Sequence, residues 1–302
     1  MKALYDVPAP AKLNLFLHVV GKRPDGYHLL QSVFVLIDWA DTLHFDLRDD
    51  GQLLRHDLGP KLPEDDLCLR AARLLKEHSG CAFGADIHID KRLPTGAGMG
   101  GGSSDAASVL IALNRLWDLR LPRKTLLELG LKLGADVPFF IGGHNAFVEG
   151  IGEQLHPIDL PPLEFAVLKP PASIATQQIF SSPLLARSES MAIVAGFPAH
   201  TNFRKPFGKN DLQKAAEAAC PEVAMASQML DKTFGNSRMT GSGSAVFAVV
   251  RVLGAGGDGD RGILSQAMAT MLRDAPEGWL GEICRSLNRH PLADWADWVE
   301  ES

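Results

Sequence analysis

The segment Leu93-Pro94-Thr95-Gly96-Ala97-Gly98-Met99-Gly100-Gly101-Gly102-Ser103-Ser104-Asp105 places five glycines between a strand-like run and a helical one, and it constrains this chain more than any other stretch. Ala85 to Lys91 alternates as a strand before it, and a helical pattern continues after it to Trp117. Glycines let the backbone approach an anion closely and take positive φ. Unpaired amides at a helix start, helped by the helix dipole, favour negative charge. The segment therefore reads as a phosphate-binding loop rather than a flexible linker, with Ser103 or Ser104 expected to cap the helix.

Gly96, Gly98 and Gly101 match the spacing of a dinucleotide fingerprint, but its context is missing. That motif follows an apolar strand and precedes an acidic residue about 20 positions on. Here Asp86, His88 and Asp90 make the strand half polar, and Arg120 to Lys124 leads into another helix. A Walker-type Gly-Lys-Ser/Thr is absent too.

Around the loop, the pattern is mixed. Ala11 to Val20 alternates, with Leu13, Leu15, Leu17 and Val19 on one side and Lys12, Asn14, Phe16 and His18 on the other. Lys22 to Gly26 is turn-like, and Ser32 to Ile37 and Thr42 to Leu47 read as two strands separated by the polar Asp38 to Asp41. Helices are expected over Asp66 to His78, Leu121 to Leu133, Asp211 to Ala219, Pro221 to Phe234 and Ile263 to Arg273. Strands are expected over Phe165 to Leu168, Ala245 to Val252 and Trp279 to Leu287, an α+β pattern overall. Pro157, Pro161 and Pro162 put a domain boundary near His156 to Pro162, as 302 residues usually divide into two domains.

Composition narrows the function class. A formal charge of -6 argues against a polyanion-binding surface, so no nucleic acid is expected as a partner. Cys68, Cys81, Cys220 and Cys284 stand at no metal or redox spacing and read as free thiols in a reducing compartment. The run Leu13 to Val20 is short and interrupted by Asn14 and His18, and no stretch approaches membrane-spanning length. The expectation is a cytoplasmic protein with no membrane partner, as either a monomer or a homodimer. The histidines show no paired metal spacing, so no protein metal site is expected.

Phosphoryl transfer needs a held donor, positive charge and a group to take the acceptor's proton. Lys12 and Asp136 are residue types suited to the last two roles. On the residues alone, Asp136 serves equally well as a helix N-cap before Pro138, and Lys12 reads as a solvated lysine on an edge strand. Lys91 reads as a strand-end lysine or as one approaching a nucleotide. Magnesium is required on general grounds, arriving with the nucleotide rather than held in a protein cage, with a hydroxyl of Ser103 or Ser104 within possible reach.

Three stretches occur in the order of the motifs of the GHMP kinases, and the chain resembles that family. They are Pro10-Ala11-Lys12-Leu13-Asn14-Leu15, then Pro94 to Ser104, then Met239-Thr240-Gly241-Ser242-Gly243-Ser244-Ala245-Val246-Phe247. Asp25-Gly26-Tyr27-His28 and Gly134-Ala135-Asp136-Val137-Pro138-Phe139-Phe140 resemble the members whose acceptor alcohol carries a cytidine diphosphate. The resemblance implies a two-lobed fold, with a nucleotide lobe over residues 1–157 containing a left-handed βαβ crossover and a ferredoxin-like lobe over 158–302. It implies ATP as donor, bound by Pro94, Gly96, Gly98, Met99, Gly100, Gly101, Gly102, Ser103 and Ser104, and Lys12 with Asp136 as the catalytic pair. It implies acceptor contacts from Asn14, Tyr27, His28, Thr176 and Phe180, and a third motif, Thr240 to Ala245, packed against the site rather than serving as a plain turn. A kinase for a different small alcohol and a non-catalytic member of the fold are the competing readings. After Leu287 the resemblance thins, and Trp295 and Trp298 are expected against the second lobe or a neighbouring subunit.

Overall fold

A computed structural model describes residues 1–185, 208–253 and 261–297. Its frame is a hairpin of two long strands, β1 (Ala3–Lys22) and β2 (His28–Arg48), joined by the expected turn, in which Arg23 N–H reaches Tyr27 O at 2.7 Å. β2 does not break at Asp38 to Asp41. The carboxylates there serve neighbouring backbone instead: Asp38 accepts Arg285 N–H at 2.7 Å, and Asp41 accepts the N–H groups of Arg92 and Leu93 at 2.6 and 2.7 Å. Polar residues that look like a turn in sequence are acceptors for segments distant in the chain.

The free edge of β2 is shared by three strands. Ser32 to Phe34 pairs with β5 (Ala146–Glu149), Leu36 and Ile37 with β10 (Leu280–Leu287), and Thr42 to Arg48 with β4 (Gly84–Asp90). β3 (Leu53–Asp57) runs parallel to β4, with α1 (Leu67–Ser79) as the crossover between them. β6 (Gln154–Pro157) closes a hairpin with β5. Beyond it, β10 pairs with β7 (Leu163–Lys169), β7 with β9 (Val246–Val252), and β9 with β8 (Ser237–Met239). The ten strands among the described residues thus form one mixed sheet across both halves of the chain.

Helix α2 (Gly101–Leu116) is apolar nearly all round, which suits an element buried on every side. It packs on α1, β1, α3 (Arg123–Leu133) and α4 (Val137–Gly142), and its alanines permit close approach. In the second half, α5 (Thr176–Phe180), α6 (Gln213–Ala219), α7 (Pro221–Phe234) and α8 (Arg261–Asp274) accompany the sheet. The longer three match the sequence reading.

Two expectations give way. A register shift between Asn14 and Leu17 breaks the alternation of β1, so Phe16 joins Leu13 and Leu15 in one core instead of siding with Lys12. The tail after β10 packs on the first half of the chain: Leu292 and Ala296 enter the α1–α2 core, and Arg115 lies 4.9 Å over the Trp295 ring. Trp298 falls outside the described residues.

Candidate active site

Strand β4 delivers the chain to the glycine-rich loop, and α2 leaves from it. The N-cap of α2 is Gly100, in the left-handed region at φ 73°, with no side-chain cap, so neither serine has the expected capping role. Ser104 is buried and donates to Pro10 O at 2.7 Å, which fastens α2 to β1. Ser103 lines a cavity of about 340 Å³ together with Pro94, Gly96, Gly98 and Gly102. The amides at the head of α2 precede its first intrahelical bond, Ser104 N–H to Gly100 O at 2.9 Å, so the loop offers donors and a positive dipole end to an anion.

The far wall of this cavity includes Lys91 and Asp105. Lys91 is not an exposed strand-end lysine. Its ammonium lies between the carboxylates of Asp105, at 2.6 Å, and of Asp41. Burial pulls the Lys91 pKa down, but the two carboxylates outweigh it and hold the group above its ordinary value. Burial, joined by the charge of Asp41 and opposed by Lys91, pushes Asp105 up to about 7. Asp41 also accepts the Arg92 and Leu93 amides, so the cluster pins the corner where β4 turns into the loop. Sequence reading missed Asp41 and Asp105; a carboxylate directly after the two loop serines was the available signal.

Lys12 sits across the loop from this cluster. Its own N–H donates to Met99 O at 2.9 Å, stitching β1 to the loop, and its side chain is buried. The ammonium donates to Asn14 Oδ1 at 2.6 Å, lies 3.5 Å from Asp136 Oδ2 and stands 4.3 Å over the Phe34 ring. Burial lowers the Lys12 pKa, and Asp136 works against that shift. Asp136 does occupy the N-cap position of α4, yet its side chain makes no capping bond. The carboxylate turns to Lys12 instead, so Asp136 does not cap the helix and Lys12 is not a solvated lysine.

Lys12 and Asp136 line a second cavity of about 280 Å³, whose walls include Asn14, Thr176, Phe180 and the two loop glycines Gly98 and Gly100. Those two glycines line both cavities, so the loop is the wall between them. Phe180 stacks on His28 with ring centroids 5.1 Å apart and an angle of 21°. Thr176 Oγ1 lies 2.8 Å from Ser242 Oγ. Tyr27, 60% exposed in the β1–β2 turn, does not line this cavity.

The third motif is more than a turn. Ser244 N–H donates to Gly96 O at 3.2 Å and Ala245 N–H to Ala97 O at 3.1 Å, so it pairs with the start of the glycine-rich loop. A Cβ on Gly98 would stand 2.3 Å from Thr240 O, a contact that requires glycine. Among the described residues, no three His, Cys, Asp or Glu side chains gather as metal ligands, and no helix is long and apolar enough to cross a membrane.

The family profile described as GHMP kinases N terminal domain matches residues 66–144, the stretch from α1 through the phosphate loop to the end of α4. A 4-diphosphocytidyl-2-C-methyl-D-erythritol kinase from Methylibium petroleiphilum is 60% identical over 98% of this chain and 99% of that protein. The crystal structure of a 4-(cytidine 5'-diphospho)-2C-methyl-D-erythritol kinase superposes with a TM-score of 0.73 at 32% identity, covering 93% of this chain and 98% of that one. The mevalonate kinase of Methanococcus jannaschii, at 14% identity and a TM-score of 0.65 over 95% of this chain and 98% of its own, shares the fold. With identity this high along nearly the whole length, the chain belongs to the 4-diphosphocytidyl-2-C-methyl-D-erythritol kinases of the GHMP kinase family.

Proposed function

We propose that this chain moves the γ-phosphoryl group of ATP to the 2-hydroxyl of 4-diphosphocytidyl-2-C-methyl-D-erythritol, giving the 2-phosphate and ADP, in the non-mevalonate route to isoprenoid precursors. The observation that carries the reading is the shared wall of Gly98 and Gly100, with Lys12 and Asp136 on its acceptor side. ATP in the first cavity and an alcohol in the second would meet there, which is the positioning that phosphoryl transfer chiefly requires.

In this scheme the phosphate loop, Pro94 to Ser104, grips the donor through backbone amides. Asp136 accepts the proton of the acceptor hydroxyl, and Lys12 stabilises the charge left on that oxygen. Phe180 and His28 supply the flat surface a cytosine ring stacks on, with Tyr27, exposed in the β1–β2 turn, as the third aromatic of the reading. Thr176 faces the acceptor's polar part, and Asn14 stands beside Lys12. The Ser103 hydroxyl, beside Gly134, is a hard oxygen donor that fits magnesium. When bound with ATP, that ion neutralises charge on the transferred phosphate.

The same proposal makes residues 1–157 the ATP-binding unit and 158–302 the second unit, with the tail from Leu292 returning to the first. The enzyme would act in the cytoplasm on a free small molecule. A coupled ADP-release assay tests it, with the diphosphocytidyl alcohol, mevalonate or no acceptor. Activity is expected only with the first, and equal activity with mevalonate would overturn the substrate reading. Asp136→Asn is expected to lower turnover about 10²–10⁴-fold, the usual worth of a general base, with ATP affinity and Tm little changed. Near-normal turnover in that variant would remove Asp136 from its role.

A further inference from the structure

The side chain of Asn14 is only 1% exposed and every group on it has a protein partner. Lys12 Nζ, which has only protons to give, donates to Asn14 Oδ1 at 2.6 Å, and this fixes which end of the amide is oxygen. Nδ2 must then be the end that donates to Ser32 Oγ at 2.9 Å. With that lone pair used, the Ser32 proton goes to Phe16 O at 2.5 Å. On the other side, Thr240 Oγ1 accepts Asn14 N–H at 2.9 Å, with Asn14 Oδ1 at 3.2 Å and Gly98 O at 3.4 Å as takers for its proton. Thr240 is fully buried and Ser32 is 1% exposed where it lines the second cavity, so losing either hydroxyl removes a directed partner that the fold places there.

Apart from the Thr240 proton, which has two takers, each donor in this chain is directed by its neighbours. Rotating the amide to present Nδ2 to Lys12 would set two donors face to face and would draw the Ser32 proton from Phe16 O to the amide oxygen, leaving that carbonyl without its donor. A neutral Lys12 could still donate an N–H to Asn14 Oδ1, but the ammonium makes the stronger, charge-assisted bond to that oxygen. The network therefore favours Lys12 charged and pointing at Asp136.

We infer that Ser32 and Thr240 are positioning residues for phosphoryl transfer: through Asn14 they hold Lys12 protonated and aimed, and Thr240 joins that hold to the phosphate loop at Gly98. This rests on the catalytic reading of Lys12 and Asp136, and it gives the third motif a chemical task beyond packing. Charged neighbours do not supply the same hold. Asp136, at the head of α4, is the charged group acting on Lys12 among the described residues; β2 presents Ser32 and Phe34, the phosphate loop presents Gly100, and the third motif presents Thr240.

The test is the pH profile of kcat for Thr240→Ser, Thr240→Val and Ser32→Ala, with Asp136→Asn run alongside. Thr240→Ser keeps the hydroxyl and is expected to retain the wild-type profile. Thr240→Val and Ser32→Ala are expected to lose about tenfold or more in kcat, with the alkaline limb moved about one pH unit lower because Lys12 gives up its proton more readily. KM for the acceptor alcohol should change less than kcat. If Thr240→Val fails to fold, Ser32→Ala alone decides. An alkaline limb and kcat equal to wild type in folded Ser32→Ala or Thr240→Val would overturn the inference, and so would equal losses in Thr240→Ser and Thr240→Val. Turnover surviving in Asp136→Asn would instead count against the catalytic reading on which it rests.

Discussion

Lys91 and Lys12 are buried lysines on opposite sides of one loop, and their partners give them different work. Lys12 has a single carboxylate, 3.5 Å away, and its pKa falls with burial. Lys91 has two, and its pKa rises. Removing the Lys91 charge would leave Asp41 and Asp105 buried side by side, and breaking a buried pair in this way costs about 3–5 kcal/mol. Lys91→Met is therefore expected to show that loss in urea unfolding at pH 8. The loss should shrink at pH 5, because Asp105, whose pKa is raised in the fold, is stabilised by taking up a proton, and that stability disappears as pH climbs. Adding Asp105→Asn should recover part of it at pH 8. A loss independent of pH would show that the cluster matters for packing rather than charge. At this scale the residue types were legible, and the resemblance paired Lys12 with Asp136, but the partners of Lys91 were hidden, since Asp41 lies on β2, Lys91 just after β4 and Asp105 in α2.

At the scale of elements, the phosphate loop and the third motif behave as one unit. Backbone pairing joins them from Gly96 to Ala97, and Gly98 lets Thr240 come within reach of Asn14. Gly98→Ala would drive a methyl group into Thr240 O and must separate the two segments. Both ATP affinity and kcat are expected to fall at least about tenfold, measured by calorimetry and steady-state kinetics, with Tm lowered by several degrees. Gly102→Ala is the matched control: its Cβ would meet only Leu67 Cδ1 at 3.6 Å, an ordinary contact, so folding should be unaffected. Similar Tm losses in both variants would mean that the loop tolerates no side chain anywhere. Local chemistry made the loop and the helix after it readable, because glycine spacing and apolar periodicity act over a few residues. The uninterrupted run of β2 was hidden, because Asp38 and Asp41 find their partners on β10 and in the loop.

Over the whole molecule, the tail closes the first half of the chain onto itself. His290 N–H donates to Gly143 O at 2.9 Å, and its ring Nδ1 accepts Leu292 N–H at 3.0 Å, next to the core that receives Leu292 and Ala296. Burial first, and the charge of Arg123 second, lower the His290 pKa to about 4, so the ring is neutral in the fold. A histidine with a depressed folded pKa contributes stability above its unfolded value of about 6.5 and loses it as pH falls toward the folded one, a change of up to about 3 kcal/mol here. Wild-type protein should lose stability more steeply between pH 6.5 and 4 than His290→Asn, whose side-chain oxygen can take over the Leu292 amide. Parallel curves would mean that the ring does not report on docking of the tail. The amino-acid sequence by itself determined the phosphate loop, the α+β pattern and the family, because backbone geometry, hydrophobic period and motif order are written over short spans. Only the tertiary structure decided that Lys12 faces Asp136, that Lys91 is held inside by two carboxylates, and that the tail returns to the first half. Those outcomes depend on long-range pairing along both edges of the first hairpin, which selects partners that no local window of residues contains.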